Sequence, residues 1–69
     1  MTEQELQRIF TYHPPINDQQ VRYEELRAAG YELAAKIIHS TKQSREQSIA
    51  LTKLQEVIMF ANAAIAIHE

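Results

Sequence analysis

Pro14 and Pro15 stand side by side near the start of the chain, and the residues after them contain no further proline and a single glycine, Gly30. A proline lacks an N–H and pushes the residue before it towards extended geometry. The pair therefore forbids a helix through Thr11-Tyr12-His13-Pro14-Pro15-Ile16, while the sequence downstream is free to be helical. Residues 1–17 are read as an arm. A short helix ending at Phe10 fits its start, because Thr2 and Glu5 have the spacing of a capping box.

Helical periodicity takes over after the arm. From Asp18 to about Ser40, Leu26, Leu33 and Ile37 recur on one stripe, Tyr23 and Gly30 fill its gaps, and Ala34 and Ile38 widen it. Asn17 or Asp18 is expected to cap this helix, with Gln20 three residues after Asn17 as capping partner. Gly30 costs ~1 kcal/mol against alanine in a helix interior, which points to a close packing partner. Ser40-Thr41-Lys42-Gln43-Ser44 interrupts the pattern, and Ser44 with Gln47 repeats the capping-box spacing. A second helix is predicted from about Arg45 to His68, with Ala50, Leu54, Val57, Ala61 and Ile65 as its inner stripe and Leu51 and Ile58 beside it. Each long helix of ~23 residues spans ~35 Å. A short loop between two such helices makes them antiparallel neighbours. The expected fold is all-α: a single domain, residues 1–69, forming a helical hairpin with a short N-terminal helix and an extended proline-containing arm.

One stretch does not suit a lone hairpin. From Ile58 to Ile67 the second helix is apolar nearly all round, and a two-helix hairpin covers about one face of each helix. The arm offers Leu6, Ile9 and Phe10, too little to cover the rest. Homo-oligomerisation is the expectation. It also suits the size, since a 69-residue chain without cysteine has no disulfide to staple it.

Composition removes several functions. With no cysteine there is no thiolate metal site, iron–sulfur cluster or cysteine nucleophile, and one glycine excludes the phosphate-cradling loops. A net charge of −2 supplies no basic footprint for DNA or RNA polymers. No apolar run approaches the ~20 residues of a membrane span. The polar start MTEQELQRIF is unlike a secretory signal. A cytoplasmic protein with no membrane partner is expected.

Candidate chemistry is sparse. No two of His13, His39 and His68 are spaced as helical metal ligands, so no metal or other cofactor is expected. Ser40 and Ser44 sit where capping explains them, and Glu24 and Glu25 diverge around their helix. An enzyme is not expected. Binding fits better. Tyr12, on a proline-stiffened arm, is placed to stack on a planar ligand, or else packs the arm on the hairpin. Arg27 can hold a phosphate bidentately and stack on a base, or else pairs with Glu24 or the acids near Asp18. Asn62, polar within the apolar end of the second helix, either fixes register across a subunit interface or reads a ligand.

Phe10-Thr11-Tyr12-His13-Pro14-Pro15, Tyr23-Glu24-Glu25-Leu26-Arg27, Arg45-Glu46 with Ala50-Leu51, and Ala61-Asn62-Ala63-Ala64-Ile65-Ala66 together resemble one phage family. It is the second type of anti-CBASS protein, a cyclic-nucleotide sponge whose helical hairpin is shared with a Thoeris anti-defence family. The resemblance runs from Phe10 to Ala66. It implies a homohexamer of interlocked hairpins in the cytoplasm of a bacterial host. It further implies binding of cyclic dinucleotides, and of cyclic trinucleotides at separate sites, without cleavage, so that the CBASS effector is not activated. Carried over residue by residue, the arm tyrosine is Tyr12 and the basic residue of the first long helix is Arg27, with His13 and Pro14 shaping the arm. The chain departs from the pattern after Ala66, where the family commonly has an arginine and this sequence has Ile67 and then His68. The resemblance thus carries over dinucleotide binding and leaves the trinucleotide site without that cation.

Overall fold

The structure, a computed structural model, describes all 69 residues and contains three helices and no strand: α1 (Glu3–Phe10), α2 (Gln19–Ser40) and α3 (Arg45–His68). Two of the three helix starts follow their sequence signals. Thr2 Oγ1 accepts from the Glu5 N–H at 3.1 Å, and Ser44 Oγ accepts from the Gln47 N–H at 3.1 Å. The Gln47 amide does not complete a box at Ser44 but donates to Thr41 Oγ1 at 3.0 Å. Thr41 in turn closes α2, its N–H and hydroxyl both donating to the Ile37 carbonyl at 3.1 and 2.6 Å.

The start of α2 differs from expectation. Asn17 is in the left-handed region at φ 52°, which asparagine tolerates better than most residues, and Asp18 holds the N-cap position. Asp18 makes no capping bond because its carboxylate is turned to Arg22, 3.2 Å away. Gln19 secures the entry instead. The Ile16 N–H donates to Gln19 Oε1 at 3.1 Å, and the Gln19 N–H donates to the Ile16 carbonyl at 3.0 Å.

The hairpin closes around Gly30. On α2, Tyr23, Leu26, Ala34 and Ile37 are half-buried and Gly30 is buried. A Cβ placed on Gly30 would lie 2.9 Å from Ile58 Cγ1 and 3.1 Å from its Cδ1, so α3 approaches as closely as glycine allows. Two stripe assignments are corrected here. Ile58, not Val57, faces α2, and Val57 is 59% exposed. The two are adjacent and point ~100° apart on the helix, so only one can meet Gly30. Leu33 is likewise displaced to the edge of α2, at 48% exposure.

α1 touches α3 and not α2, so α3 has a neighbour on each side. The molecule measures 45 × 28 × 12 Å, and its thinnest dimension is one helix diameter. A single layer of helices cannot enclose a core. No apolar side chain is fully buried; the buried residues are Gly30 and Gln19. The chain exposes 5782 Å², whereas a compact protein of this mass exposes roughly 4,450 Å². Ile65, Ala66 and Ile67 are half-buried, and Ile67 lies beside Glu5, Arg8 and Ile9 of α1, while Met59 and Phe60 stay at 66% and 72% exposure.

The expectation that no apolar run reaches membrane length is corrected as well. Arg45–His68 is long and apolar enough to cross a membrane by length and composition, with a mean hydropathy of 1.3 over its best window, and none of its residues is fully buried. Between Leu51 and His68 only Lys53 and Glu56 are charged by Asp, Glu, Lys or Arg. Two isolated charges break an uninterrupted apolar run without lowering its average much.

Candidate functional site

Thr11 leaves α1 in extended geometry, at φ −101° and ψ 140°. The chain then alternates. His13 is half-buried, and its Nε2 lies 2.6 Å from the Arg8 carbonyl oxygen. A carbonyl oxygen only accepts, so Nε2 carries the hydrogen and His13 caps the C-terminal turn of α1. Successive side chains of an extended segment point to opposite sides. Tyr12 accordingly faces outward at 80% exposure, with Phe10 beside the helix end at 82%. Pro14 and Pro15 continue the arm on its exposed side. The arm does not use the Tyr12 ring to pack on the hairpin.

Arg27 is exposed on α2 and borders a shallow groove of about 660 Å³ between α2 and α3, lined also by Gly30, Tyr31, Leu54, Ile58 and Met59. It makes no ion pair. The pairs in the chain are Arg22–Asp18, Arg22–Glu69 and Lys53–Glu56. The acid near the start of α2 is thus engaged by Arg22, one helical turn or more before Arg27. Tyr12 does not line the Arg27 groove, so one chain does not gather the two into a single hollow. Asn62 is half-buried with its Oδ1 shielded and without a hydrogen-bond partner.

Two residues escaped the sequence reading. Arg22 joins the first turn of α2 to the far end of α3, its guanidinium donating to both carboxylate oxygens of Glu69. Donating to Glu69 raises the Arg22 pKa further, and accepting from Arg22 holds the Glu69 carboxyl below the usual carboxylate range. The partners are 47 residues apart, and no local spacing announces them. Gln19 is the other, and its i to i+3 relation to Ile16 was the available signal.

No three His, Asp or Glu side chains converge as metal ligands would. What the surface offers is an outward aromatic ring on a pinned arm and an unpaired guanidinium beside an apolar groove. That pair of groups suits a planar anionic ligand, by stacking and by bidentate hydrogen bonding. The sequence matches the family model described as the Acb2/Tad1 hairpin domain over residues 2–66. No curated protein and no solved structure matches the chain.

Proposed function

We propose that this chain, which belongs to the Acb2/Tad1 hairpin-domain family, binds and sequesters cyclic dinucleotide second messengers without cleaving them. Membership carries an anti-defence sponge role in general; the ligand and its site are our reading. On that reading the protein acts in the cytoplasm of a phage-infected bacterium and keeps the messenger from the CBASS effector. The carrying observation is the exposed Tyr12 ring and the unpaired Arg27 guanidinium on a chain with no core of its own.

A cyclic dinucleotide has two bases and two phosphates, and so has the symmetry of a site made by two copies of one chain. Each copy gives one Tyr12 ring and one Arg27 guanidinium, and assembly, to a hexamer on the family pattern, brings together what a single chain keeps apart. Asn62 Oδ1 then finds its donor either across the subunit boundary or on the ligand. Neither metal nor cofactor takes part, and neither DNA or RNA polymer nor membrane is the partner.

The test is recovery. The protein is mixed with 3′,3′-cyclic GMP–AMP, freed of unbound nucleotide and heat-denatured, and the released nucleotide is identified. Intact ligand is expected; linear product would make the protein a nuclease. Because the family joins an anti-CBASS protein to a Thoeris one, cyclic ADP-ribose isomers are run beside it in a thermal-shift panel. A shift with those isomers and none with any cyclic dinucleotide would transfer the sponge to the other messenger class. A shift with neither would leave a helical scaffold.

A further inference from the structure

The arm that carries Tyr12 is fastened at both ends by side chains that do not themselves face outward. On one side, His13 Nε2 donates to the Arg8 carbonyl at 2.6 Å. On the other, Gln19, 4% exposed, accepts the Ile16 N–H at 3.1 Å while its own N–H donates to the Ile16 carbonyl at 3.0 Å. Between these clasps lie Pro14 and Pro15, whose φ angles are fixed by their rings. The remaining soft torsions of the arm are chiefly those of Thr11, Tyr12 and His13. His13 is turned in towards α1, and its neighbour Tyr12 is turned out at 80% exposure.

We propose that His13 is a positioning residue for the Tyr12 ring, acting with the Gln19 clasp to hold the arm in its binding geometry before ligand arrives. The inference rests on the sequestration reading above and makes the arm-shaping part of His13 specific: through its bond to the Arg8 carbonyl it sets the Tyr12 ring without touching ligand. Removing the clasp restores backbone freedom around Tyr12, which binding must then remove again. The loss acts through Tyr12, so it vanishes where the Tyr12 ring is already absent.

The experiment is a double-mutant cycle read by calorimetric titration with 3′,3′-cyclic GMP–AMP. H13A is expected to weaken binding about tenfold. H13Q places an amide donor near the position of Nε2 and is expected to restore affinity to within about threefold, since the bond to Arg8 is kept. In the Y12A background, H13A is expected to change affinity by less than about twofold. A full H13A effect in that background, or H13Q as weak as H13A, overturns the proposal, because His13 would then act as a ligand contact or a general structural support. In the ligand-free protein, nitrogen-15 relaxation at the Tyr12 amide is expected to show faster motion in H13A than in H13Q or the unsubstituted chain; equal motion in all three also overturns it. Failure of the unsubstituted protein to bind any nucleotide defeats the sequestration reading instead, and the relaxation result still decides whether the clasp exists.

Discussion

Ile58 occupies the place where a side chain at Gly30 would go: a Cβ there would stand 2.9 Å from Ile58 Cγ1. Alanine is favoured over glycine within a helix by ~1 kcal/mol, so the two effects of G30A oppose one another. The contact is with the branch nearer the Ile58 backbone as well as with its flexible tip, and overpacking of this kind costs ~1–3 kcal/mol. G30A is expected to lower stability by about 1 kcal/mol net. In an I58A background the overlap is gone, and the same substitution is expected to stabilise. Urea melts of the four proteins at one chain concentration check both signs. A stabilising G30A in the unsubstituted chain would mean that the helices do not cross here.

Tyr12 is 80% exposed, and its ring contributes little to holding the chain together. Y12A is therefore expected to leave the melting temperature of the free protein nearly unchanged. Loss of one stacked base costs ~1–3 kcal/mol, so cyclic dinucleotide binding should weaken by about ten- to a hundredfold. Y12F keeps the stacking face and should bind within a few-fold of the unsubstituted protein. Calorimetric titration paired with thermal melts separates this from a folding defect. Equal affinity of Y12A and the unsubstituted chain would return Tyr12 to the surface.

Arg27 lacks a carboxylate partner, so R27K keeps a cation and loses only the planar fork. If the guanidinium holds a phosphate bidentately, R27K should recover part of the affinity lost in R27A and remain weaker than arginine. Titration at low and moderate salt checks this, with R27K falling more steeply as salt rises. Indistinguishable affinities for all three would remove Arg27 from the site.

The hairpin was legible because its signals are local. Helical spacing, the Ser44 and Thr2 caps, and the proline pair each act within a few residues. Misassignments occurred where a local pattern had two solutions. Val57 and Ile58 are both apolar and adjacent, and the close approach at Gly30 selects Ile58. Asn17 offered a capping side chain, but its left-handed backbone moves the cap to Asp18 and gives the fastening to Gln19. Arg22 and Glu69 could not be paired from sequence because they lie 47 residues apart along the chain and meet only when the antiparallel hairpin closes. For the site, the stiff extended arm followed from Pro14 and Pro15, but whether Tyr12 turned outward or packed on the hairpin did not, and its 80% exposure decides that. Its separation from Arg27 within one chain did not follow either, because spacing along a sequence does not show which groups share a hollow.

The Arg22–Glu69 pair makes a pH-dependent contribution whose sign is fixed. The Glu69 carboxyl is held below the usual carboxylate range by its hydrogen bonds from Arg22. A depressed folded-state pKa stabilises above the unfolded value, and that stabilisation is lost as the pH falls through the folded one. The melting temperature of the unsubstituted chain should therefore exceed that of E69Q at neutral pH, and the difference should close on acidification below the ordinary carboxylate range. Both groups are near the surface, so added salt should shrink the difference as well. A gap that stays constant with pH would place the effect of E69Q elsewhere.

Phe60 and Met59 remain 72% and 66% exposed, although α1 packs on α3 and lies beside Ile67 and His68. Fully burying an apolar side chain of this size contributes ~1.5–3 kcal/mol, which one chain leaves unrealised. A second copy of α3 could cover this face. F60E would then place a charge in a dehydrated contact without a partner, and the assembly is expected to come apart towards the 8.0 kDa chain. A separated chain has no fully buried apolar residue, so loss of assembly should lower helicity and melting temperature together, and both should depend on concentration. K42E, on the exposed turn between α2 and α3, is the control and should alter neither. Sedimentation velocity and circular dichroism over a hundredfold range of concentration read the two properties in parallel. An F60E protein of unchanged mass and stability would show that this face of α3 stays open, and the search for the missing cover would move to the groove beside Arg27 and Tyr31.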